Sequence, residues 1–311
     1  MFRSFAAALF LVTAVVLGQA QTAGSAVSTP KSTYFDAGQL LKDIEYLSSD
    51  ELEGRSADLP SMAKAREYVE KRFRETGLQP MGETYKQEFE FSPRRTETKL
   101  KGVNFIGRIK GKKWADKYIV ITAHYDHDGI RNGQIYNGAD DNASGTAALF
   151  ALAKYFSGKK PNHTLVFVAF DAEEKGLVGA RHFVANLPIA KESILLNVNM
   201  DMISRSDKNE LYAAGTFHYP QFKPALEKAQ KKAKIKLWLG HDVAGTGRDD
   251  WTFQSDQGAF HREKIPFIYF GVEDHEDYHK PTDDFERIHP EFYVRAVETV
   301  IEAVKELDRQ K

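Results

Sequence analysis

The sequence predicts an α/β protein with one mixed, mostly parallel sheet and helices on both faces. Apolar segments of strand length alternate with longer segments of helical periodicity along most of the chain. Several of the short segments are continuously apolar, which is typical of strands that are buried on both faces of a parallel sheet. No internal repeat or clear boundary divides residues 34–311, so we expect a single domain.

The first four elements are two helices followed by two strands. Residues 37–49 and 61–77 carry apolar side chains at helical spacing, and Gly77 is a plausible end for the second helix. Residues 85–91 (YKQEFEF) alternate between apolar and polar, as a half-buried strand does. Residues 103–109 form a second strand candidate.

The remaining elements follow a strand–loop–helix rhythm, in which polar loops connect buried strands to helices. The predicted strands are residues 118–123 (YIVITA), 164–170 (TLVFVAF), 194–199 (ILLNVN) and 265–270 (IPFIYF). The predicted helices are residues 144–156, 179–186, 221–233 and 290–307. This alternation favours a largely parallel sheet, in which functional residues follow the carboxyl ends of the strands.

Composition narrows the range of possible functions. The chain of 311 residues has 43 Lys and Arg against 44 Asp and Glu, which argues against nucleic acid as the main partner. Its 42% hydrophobic and 28% charged residues exclude a disordered chain and a multispanning membrane protein. The absence of cysteine excludes disulfides, thiolate metal sites and cysteine nucleophiles. Histidines and carboxylates must therefore hold any metal.

The N-terminal segment is typical of a secretory signal peptide. Arg3 precedes a run of 13 apolar residues, 5–17, which is too short to span a membrane as a helix. We predict a signal peptide at residues 1–20, cleavage after Ala20, and a linker at residues 21–33. The mature protein is therefore expected to be secreted or periplasmic, without a membrane span.

Histidines and carboxylates follow nearly every predicted buried strand. His124 follows the first of these strands, Glu173 and Glu174 follow the next, and Asp201 follows the third. So many carboxylates at one sheet edge would repel each other unless cations neutralise them. Imidazole and carboxylate ligands without thiolate suit zinc or another divalent transition metal. More than four candidate ligands indicate two metals, and one glutamate of the adjacent pair is then free to act as a base.

Six motifs in one order resemble the dinuclear-zinc exopeptidases of the bacterial leucyl aminopeptidase type. The motifs are AHYDH (123–127), GADDNASG (138–145), FDAEEKGLVGA (170–180), NMD (199–201), SDQGAF (255–260) and DYHKPTDD (277–284). The same family contains glutamate carboxypeptidases and, more distantly, glutaminyl cyclases. The resemblance covers roughly residues 100 to 285 and implies a zinc peptidase domain at residues 34–311.

The resemblance also implies a role for each residue that matches a motif. The first zinc would be held by His124, Asp141 and Asp201, and the second by Asp141, Glu174 and His279. Glu173 would be the general base, Asp126 would orient the His124 imidazole, and Tyr278 would stabilise the oxyanion. The family also implies a cis peptide bond between Asp141 and Asn142.

Several residues depart from the family pattern or remain without a role. Gln257 stands where a histidine is common and Lys280 where a threonine is common, so the rim of the substrate site is expected to differ. We interpret His127 as a rim residue. Four further histidines are interpreted as structural: His241, His261, His275 and His289.

The function most favoured by the sequence is a metallo-aminopeptidase that acts on peptides with a free N-terminus. A carboxypeptidase of the same family is the first alternative, because Arg205 and Arg248 are loop residues that could bind a terminal carboxylate. A glutaminyl cyclase or a non-catalytic binding relative is less favoured, since the full ligand set and the base are present. The sequence predicts no oligomeric state.

Overall fold

The computed structural model describes Met1 and residues 29–93 and 97–310. The predicted signal peptide, apart from Met1, and most of the predicted linker lie outside the described residues. The α-helices are α1 (Ala37–Leu47), α2 (Met62–Glu75), α3 (Gly145–Ser157), α4 (Val178–Ala185), α5 (Lys223–Gln230), α6 (Gln257–Arg262) and α7 (Pro290–Leu307). The strands are β1 (Gln79–Pro80), β2 (Lys86–Phe91), β3 (Leu100–Ile109), β4 (Trp114–His124), β5 (Gly129–Arg131), β6 (Gln134–Tyr136), β7 (His163–Phe170), β8 (Ile194–Met200), β9 (Glu210–Ala214), β10 (Lys236–Leu239) and β11 (Phe267–Gly271).

One mixed sheet forms the centre of the molecule. Its strand order is β1-β3-β7-β4-β8-β11-β9-β10, and β2 pairs with β3. The four central strands β7, β4, β8 and β11 are parallel to their neighbours within this group. On each side of this group the next strand is antiparallel: β3 pairs with β7 on one side, and β9 pairs with β11 on the other. The predicted mixed sheet with a parallel centre is confirmed.

The central strands are continuously apolar because helices cover both of their faces. Ile119 and Ile121 of β4 pack in a core with α1, α2, α3, α5 and α7. Val120, which points the opposite way, packs in a second core with α4 and α6. This alternation in side-chain direction with apolar contacts on both sides confirms the interpretation of these segments as buried strands.

Local sequence signals fix several helix boundaries. The Asp36 side chain accepts a hydrogen bond from the backbone N–H of Gln39 at 3.1 Å and caps α1. After α2 ends, Gly77 adopts a φ of +85°, which confirms it as the residue that stops the helix. Pro290 begins α7, where its missing N–H costs nothing.

The carboxyl ends of the four parallel strands lie at one edge of the sheet. His124 is the last residue of β4, Asp171 follows β7, Asp201 follows β8, and Val272 follows β11. All predicted site residues therefore belong to this edge or to the loops that extend from it. Within residues 29–93 and 97–310, no helix is long and apolar enough to cross a membrane.

Candidate metal centre

Three of the predicted ligands form a first group beyond the ends of β4 and β8. The Nε2 atom of His124 lies 3.3 Å from Asp201 Oδ1 and 3.5 Å from Asp141 Oδ1. All three side chains are buried. Ligand atoms bound tetrahedrally to one zinc at about 2.0–2.1 Å lie roughly 3.3–3.5 Å from each other. The group therefore has the dimensions of a metal site.

A second group surrounds the other oxygen of the Asp141 carboxylate. Asp141 Oδ2 lies 3.1 Å from His279 Nε2, and the same nitrogen lies 3.8 Å from Glu174 Oε1. His127 also belongs to this group, because its Nδ1 lies 2.9 Å from Glu174 Oε1. Each Asp141 oxygen faces a different group, which is the arrangement of a carboxylate that bridges two metals.

The atoms that point into the two groups lack other partners. Within the described residues, His124 Nε2, Asp201 Oδ1 and Glu174 Oε1 are buried and form no hydrogen bond. An unpaired buried polar atom costs about 1–3 kcal/mol, and several of them at one point call for a shared partner. Divalent cations would satisfy all of them at once. The donor set of imidazoles and carboxylates fits zinc.

The carboxylates keep the imidazoles of the metal-free protein positively charged. Burial lowers the pKa of His124, but the nearby Asp201 and Glu173 outweigh this effect and raise it well above its ordinary value. Burial also lowers the pKa of His279, but its contact with the Asp141 carboxylate outweighs this effect and raises the pKa to about 9. Protons thus occupy the positions that metals would take.

Glu173 and Glu174 follow β7 on a tight turn, in which Ala172 has a φ of +57°. Burial raises the pKa of Glu173 well above its ordinary value, and the carboxylates of Glu174 and Asp256 raise it further. Burial also acts on Glu174, but contact with His127 lowers its pKa to about 2. The adjacent glutamates therefore differ in their ability to accept a proton, and Glu173 has the surroundings of a general base.

Asp126 connects the strand that carries His124 with the turn that carries the glutamates. Its carboxylate accepts hydrogen bonds from the backbone N–H groups of Glu173 at 2.9 Å and Glu174 at 3.3 Å. His124 Nδ1 lies 3.2 Å from the backbone carbonyl of Asp126 and 3.7 Å from its carboxylate. A carbonyl can only accept, so Nδ1 donates and Nε2 is left free to bind a metal. Asp126 thus orients the imidazole mainly through its backbone.

A layer of hydrogen bonds holds the loop that carries Asp141. The Asp283 carboxylate accepts from the backbone N–H groups of Asp140 and Asp141. The Asp140 carboxylate accepts from Ser204 and lies 3.1 Å from His275 Nε2, which agrees with a structural role for His275. The Asp141–Asn142 peptide bond is cis, as the resemblance implies.

Gly145 brings the start of α3 against β8 beneath this loop. A Cβ atom there would overlap the backbone carbonyl of Met200, which Asn142 also contacts through a hydrogen bond of 2.9 Å. The last glycine of the GADDNASG motif is therefore required by close packing.

Arg55 is a buried residue that the sequence analysis did not identify. Its guanidinium donates to the carbonyls of Leu47, Tyr125, Asn137 and Gly138. It thus connects the end of α1 with the segment after β4 and with the segment before Asp141. Burial lowers the pKa of Arg55 to about 10, while Asp126 and the other carboxylates of the site oppose this effect. The group remains charged at neutral pH. No periodicity or motif marks residues 50–55, so only the fold reveals this arginine.

Asp256 is a second buried residue to which the sequence motifs assign no role. Both of its carboxylate oxygens are buried without a hydrogen-bond partner among the described residues. Burial raises the pKa of Asp256 to about 8, and the carboxylates of Asp201 and Asp126 contribute to the rise. Asp256 directly precedes α6 and belongs to the SDQGAF motif.

A cavity of about 90 Å³ opens onto both ligand groups. Tyr278 lines it and stacks on the His279 ring with centroids 3.9 Å apart. The cavity is also lined by Asp141, Glu173, Glu174, Asp201, Met202, Trp251, Gln254, Tyr269, Val272, Asp274 and His279. A wider groove continues past Trp251, Gln254, Asp274 and Tyr278, which line both spaces.

Two expectations about the rim of the site are corrected. His127 is not a rim residue, because its side chain is fully buried beside Glu174. Gln257 is also fully buried, where it accepts from Asn199 at 2.9 Å and donates to the Trp251 carbonyl at 2.7 Å. Gln257 thus supports the wall of the cavity from behind. Lys280 is exposed.

The other predicted histidines and arginines lie outside the two ligand groups. His241 stacks on Trp251 at 3.8 Å between centroids and lines the outer groove, whereas His261 contacts the Tyr219 hydroxyl at 2.8 Å. His289 has its Nδ1 3.3 Å from the Ser206 carbonyl. Arg205 is buried against Asp277 and Glu276, and Arg248 lines the outer groove.

Comparison with known proteins places the chain among metallopeptidases. Residues 104–304 match the family described as Peptidase family M28. Aminopeptidase YwaD of Bacillus subtilis is 30% identical over 218 residues, which are 65% of this chain and 44% of that protein. A probable zinc metalloprotease of Pyrenophora teres f. teres is 27% identical over 205 residues, 61% of this chain and 41% of that protein. The matches thus span less than half the length of these curated relatives.

Solved structures share the fold at low sequence identity. BSAP, a zinc aminopeptidase from Bacillus subtilis, superposes with a TM-score of 0.72 at 19% identity, covering 90% of this chain and 98% of that one. The glutaminyl cyclase of Fimbriiglobus ruber gives the same TM-score at 20% identity, covering 90% and 97%. The fold is therefore that of the zinc aminopeptidases, and its neighbours include cyclases. Because the family match covers most of the chain and the ligand groups lie where its motifs predict, the protein belongs to peptidase family M28.

Proposed function

We propose that the protein is an exported aminopeptidase that uses two zinc ions to remove N-terminal residues from peptides. The observation that carries this proposal is the pair of ligand groups that share Asp141. Each Asp141 oxygen faces its own set of ligand atoms, each set includes buried atoms without a hydrogen bond, and Glu173 lines the same cavity. Exopeptidase chemistry of this family uses such a centre, and the names of the relatives agree with it.

The residues around the centre divide the steps of peptide hydrolysis among them. Two bound metals would supply a nucleophilic water at neutral pH and would polarise the scissile carbonyl. Glu173 takes the proton from the attacking water and returns it to the leaving amine, for which its raised pKa suits it. Tyr278 lines the same cavity, and its hydroxyl would donate to the developing oxyanion. Asp126 holds the backbone of both glutamates and so fixes the position of the base.

The charge of the cavity favours an amine over a carboxylate as the bound end of the substrate. Five carboxylates line it, those of Asp141, Glu173, Glu174, Asp201 and Asp274, and its described lining has no Lys or Arg. A carboxypeptidase would need a cation to bind the terminal carboxylate. Arg205 is engaged by Asp277 and Glu276, which leaves Arg248 in the outer groove as the remaining candidate of the two.

Matched peptides test the proposed direction of cleavage. We expect the zinc-loaded protein to release the first residue of a peptide with a free α-amine. The N-acetylated form of that peptide should be cut at least about 100-fold more slowly, because it lacks the charge that the acidic cavity binds. Analysis of the products by mass spectrometry identifies the residue that is released. Equal cleavage of both peptides, or release from the carboxyl end, would support the carboxypeptidase alternative.

Export is the second part of the proposal and is supported by the sequence of residues 1–20. The absence of cysteine agrees with it, since no free thiol would be exposed to an oxidising compartment. N-terminal sequencing of the protein recovered from outside the cytoplasm should begin at Gln21. An intact N-terminus on active, cytoplasmic protein would contradict export.

A further inference from the structure

His127 is a buried imidazole that no hydrogen bond explains. It follows β4 by three residues, its side chain is fully buried, and both Nδ1 and Nε2 lack a hydrogen-bond partner among the described residues. A buried imidazole whose nitrogens form no hydrogen bond is a candidate ligand for a metal.

The Nδ1 atom of His127 points into the second ligand group. It lies 2.9 Å from Glu174 Oε1 and 3.9 Å from Asp141 Oδ2. His279 Nε2 contacts the same two oxygens at 3.8 and 3.1 Å. The two histidines therefore flank one pair of carboxylate oxygens, and their ring centroids are 6.1 Å apart. These separations are close to the roughly 3.3–3.5 Å between ligand atoms of a tetrahedral zinc site.

We propose that His127 is a fourth protein ligand of the second metal, together with Asp141, Glu174 and His279. The inference rests on the proposed two-metal function and adds a ligand to the set that the family motifs imply. It also makes the two centres unequal, because the part of the chain that the structure describes gives the first group three protein ligands, His124, Asp141 and Asp201.

A simple ion pair between His127 and Glu174 explains the arrangement less well. The two atoms are 2.9 Å apart, a distance that an ion pair would also give. An ion pair with Glu174 alone gives no role to the second oxygen near Nδ1, Asp141 Oδ2 at 3.9 Å. A metal on Nδ1 accounts for the contact with both carboxylate oxygens.

The unequal ligand count predicts an order of metal binding. His279 lies on a loop with a side chain that is 42% exposed, whereas His127 is fully buried behind β4. A rigid ligand loses less conformational entropy when it binds, so His127 should contribute more than His279 to the zinc affinity of the second site. The second site should therefore fill before the first when metal is added to the metal-free protein.

Zinc titration of the full mature chain tests this inference. The wild-type protein should bind two ions. His127→Asn should lower the affinity for one of the two ions about tenfold to a hundredfold. His182→Asn is the matched control, because His182 stacks on Phe89 away from the site, and its two zinc affinities should not change. Thermal unfolding of the metal-free variants shows whether each one folds.

X-ray absorption of the wild-type protein gives a test that depends on no variant. With two equivalents of zinc, the two bound ions should have three imidazole ligands between them, from His124, His127 and His279. Two imidazoles in total, or unchanged zinc affinities in a folded His127→Asn protein that binds two ions, would overturn the inference. A wild-type protein that binds fewer than two ions would instead contradict the two-metal function itself.

Discussion

Glu173 and Glu174 are adjacent in sequence, yet their surroundings give them opposite properties. Burial and neighbouring carboxylates raise the pKa of Glu173, whereas contact with His127 lowers that of Glu174 to about 2. Bound metals would add positive charge and reduce the shift of Glu173, but they would not make the two groups alike. One residue is placed to accept a proton and the other to remain an anionic ligand.

Substitution by glutamine should therefore impair the enzyme differently at the two positions. Glu173→Gln keeps the shape of the side chain but cannot accept a proton, so we expect kcat to fall at least about a thousandfold with KM and zinc content little changed. Glu174→Gln should lose one zinc and regain part of its activity in excess zinc. Zinc analysis and steady-state kinetics of both variants measure this difference. A zinc lost from Glu173→Gln, or more than about a tenth of the wild-type kcat retained, would show that Glu173 is not the base.

Arg55 shows how one buried side chain positions several segments at the level of secondary structure. It donates to carbonyls at the end of α1, after β4 and before the loop of Asp141. These segments carry or adjoin His124, His127 and Asp141. The ligand groups therefore depend on an arginine that binds neither metal nor substrate.

Arg55→Lys should destabilise the protein even though it keeps the charge. A lysine ammonium cannot reach four carbonyls at once, so buried acceptors remain unpaired and the free energy of unfolding should fall by about 3 kcal/mol or more. Urea unfolding of the metal-free protein measures this change. Arg181→Lys is the control, because exposed Arg181 donates to a single acceptor within residues 29–93 and 97–310, the Gly176 carbonyl, and its effect should stay within about 0.5 kcal/mol. Equal stability of both variants would contradict the role of Arg55.

The elements that the sequence predicted correctly are those with a strong local signal. Strands β4, β7 and β8 are long apolar runs, and α7 has a proline start, so their positions follow from the residues themselves. Strands β9 and β10 were not predicted, because ELYAA and KLWL are short and mix polar with apolar residues. Their pairing is decided by the neighbouring strand β11 and the packing of α5.

The same distinction applies to the site. The ligand set implied by the motifs meets at one sheet edge, because parallel strands place their carboxyl ends together. The roles of Arg55 and His127 could not be predicted, since whether a polar side chain is buried depends on distant parts of the chain. His127 lies between two other polar residues, Asp126 and Asp128, and only the fold shows that all three are buried.

At the scale of the whole molecule, the metal centre depends on the complete fold. Its ligands come from the end of β4, from the segments that follow β7, β8 and β11, and from the segment just before α3, between residues 124 and 279. An unfolded chain cannot bring these residues together, so metals should bind the native state far better than the unfolded state. Metal binding and global stability are therefore linked.

The link between metal binding and stability should depend on pH. In the metal-free protein, carboxylates raise the pKa of His279 to about 9 and also raise those of His124 and His127 above the ordinary value of 6.5. A histidine with a raised native pKa stabilises the metal-free protein fully below about pH 6.5, and this contribution is lost as the pH rises through about 9. Zinc requires the neutral imidazole and must displace these protons, so its apparent affinity should increase about tenfold per pH unit for each proton released.

The increase in Tm caused by zinc should consequently grow between pH 6.5 and pH 9, because the metal-free protein loses stability over the range in which zinc binds more tightly. Thermal unfolding with and without zinc at several pH values measures the increase. Calorimetry in buffers with different ionisation enthalpies measures the protons released. Calcium is the control ion, because it prefers oxygen ligands and should give a smaller and flatter effect. A zinc effect that is constant or declines with pH would mean that the histidines are already neutral in the metal-free protein.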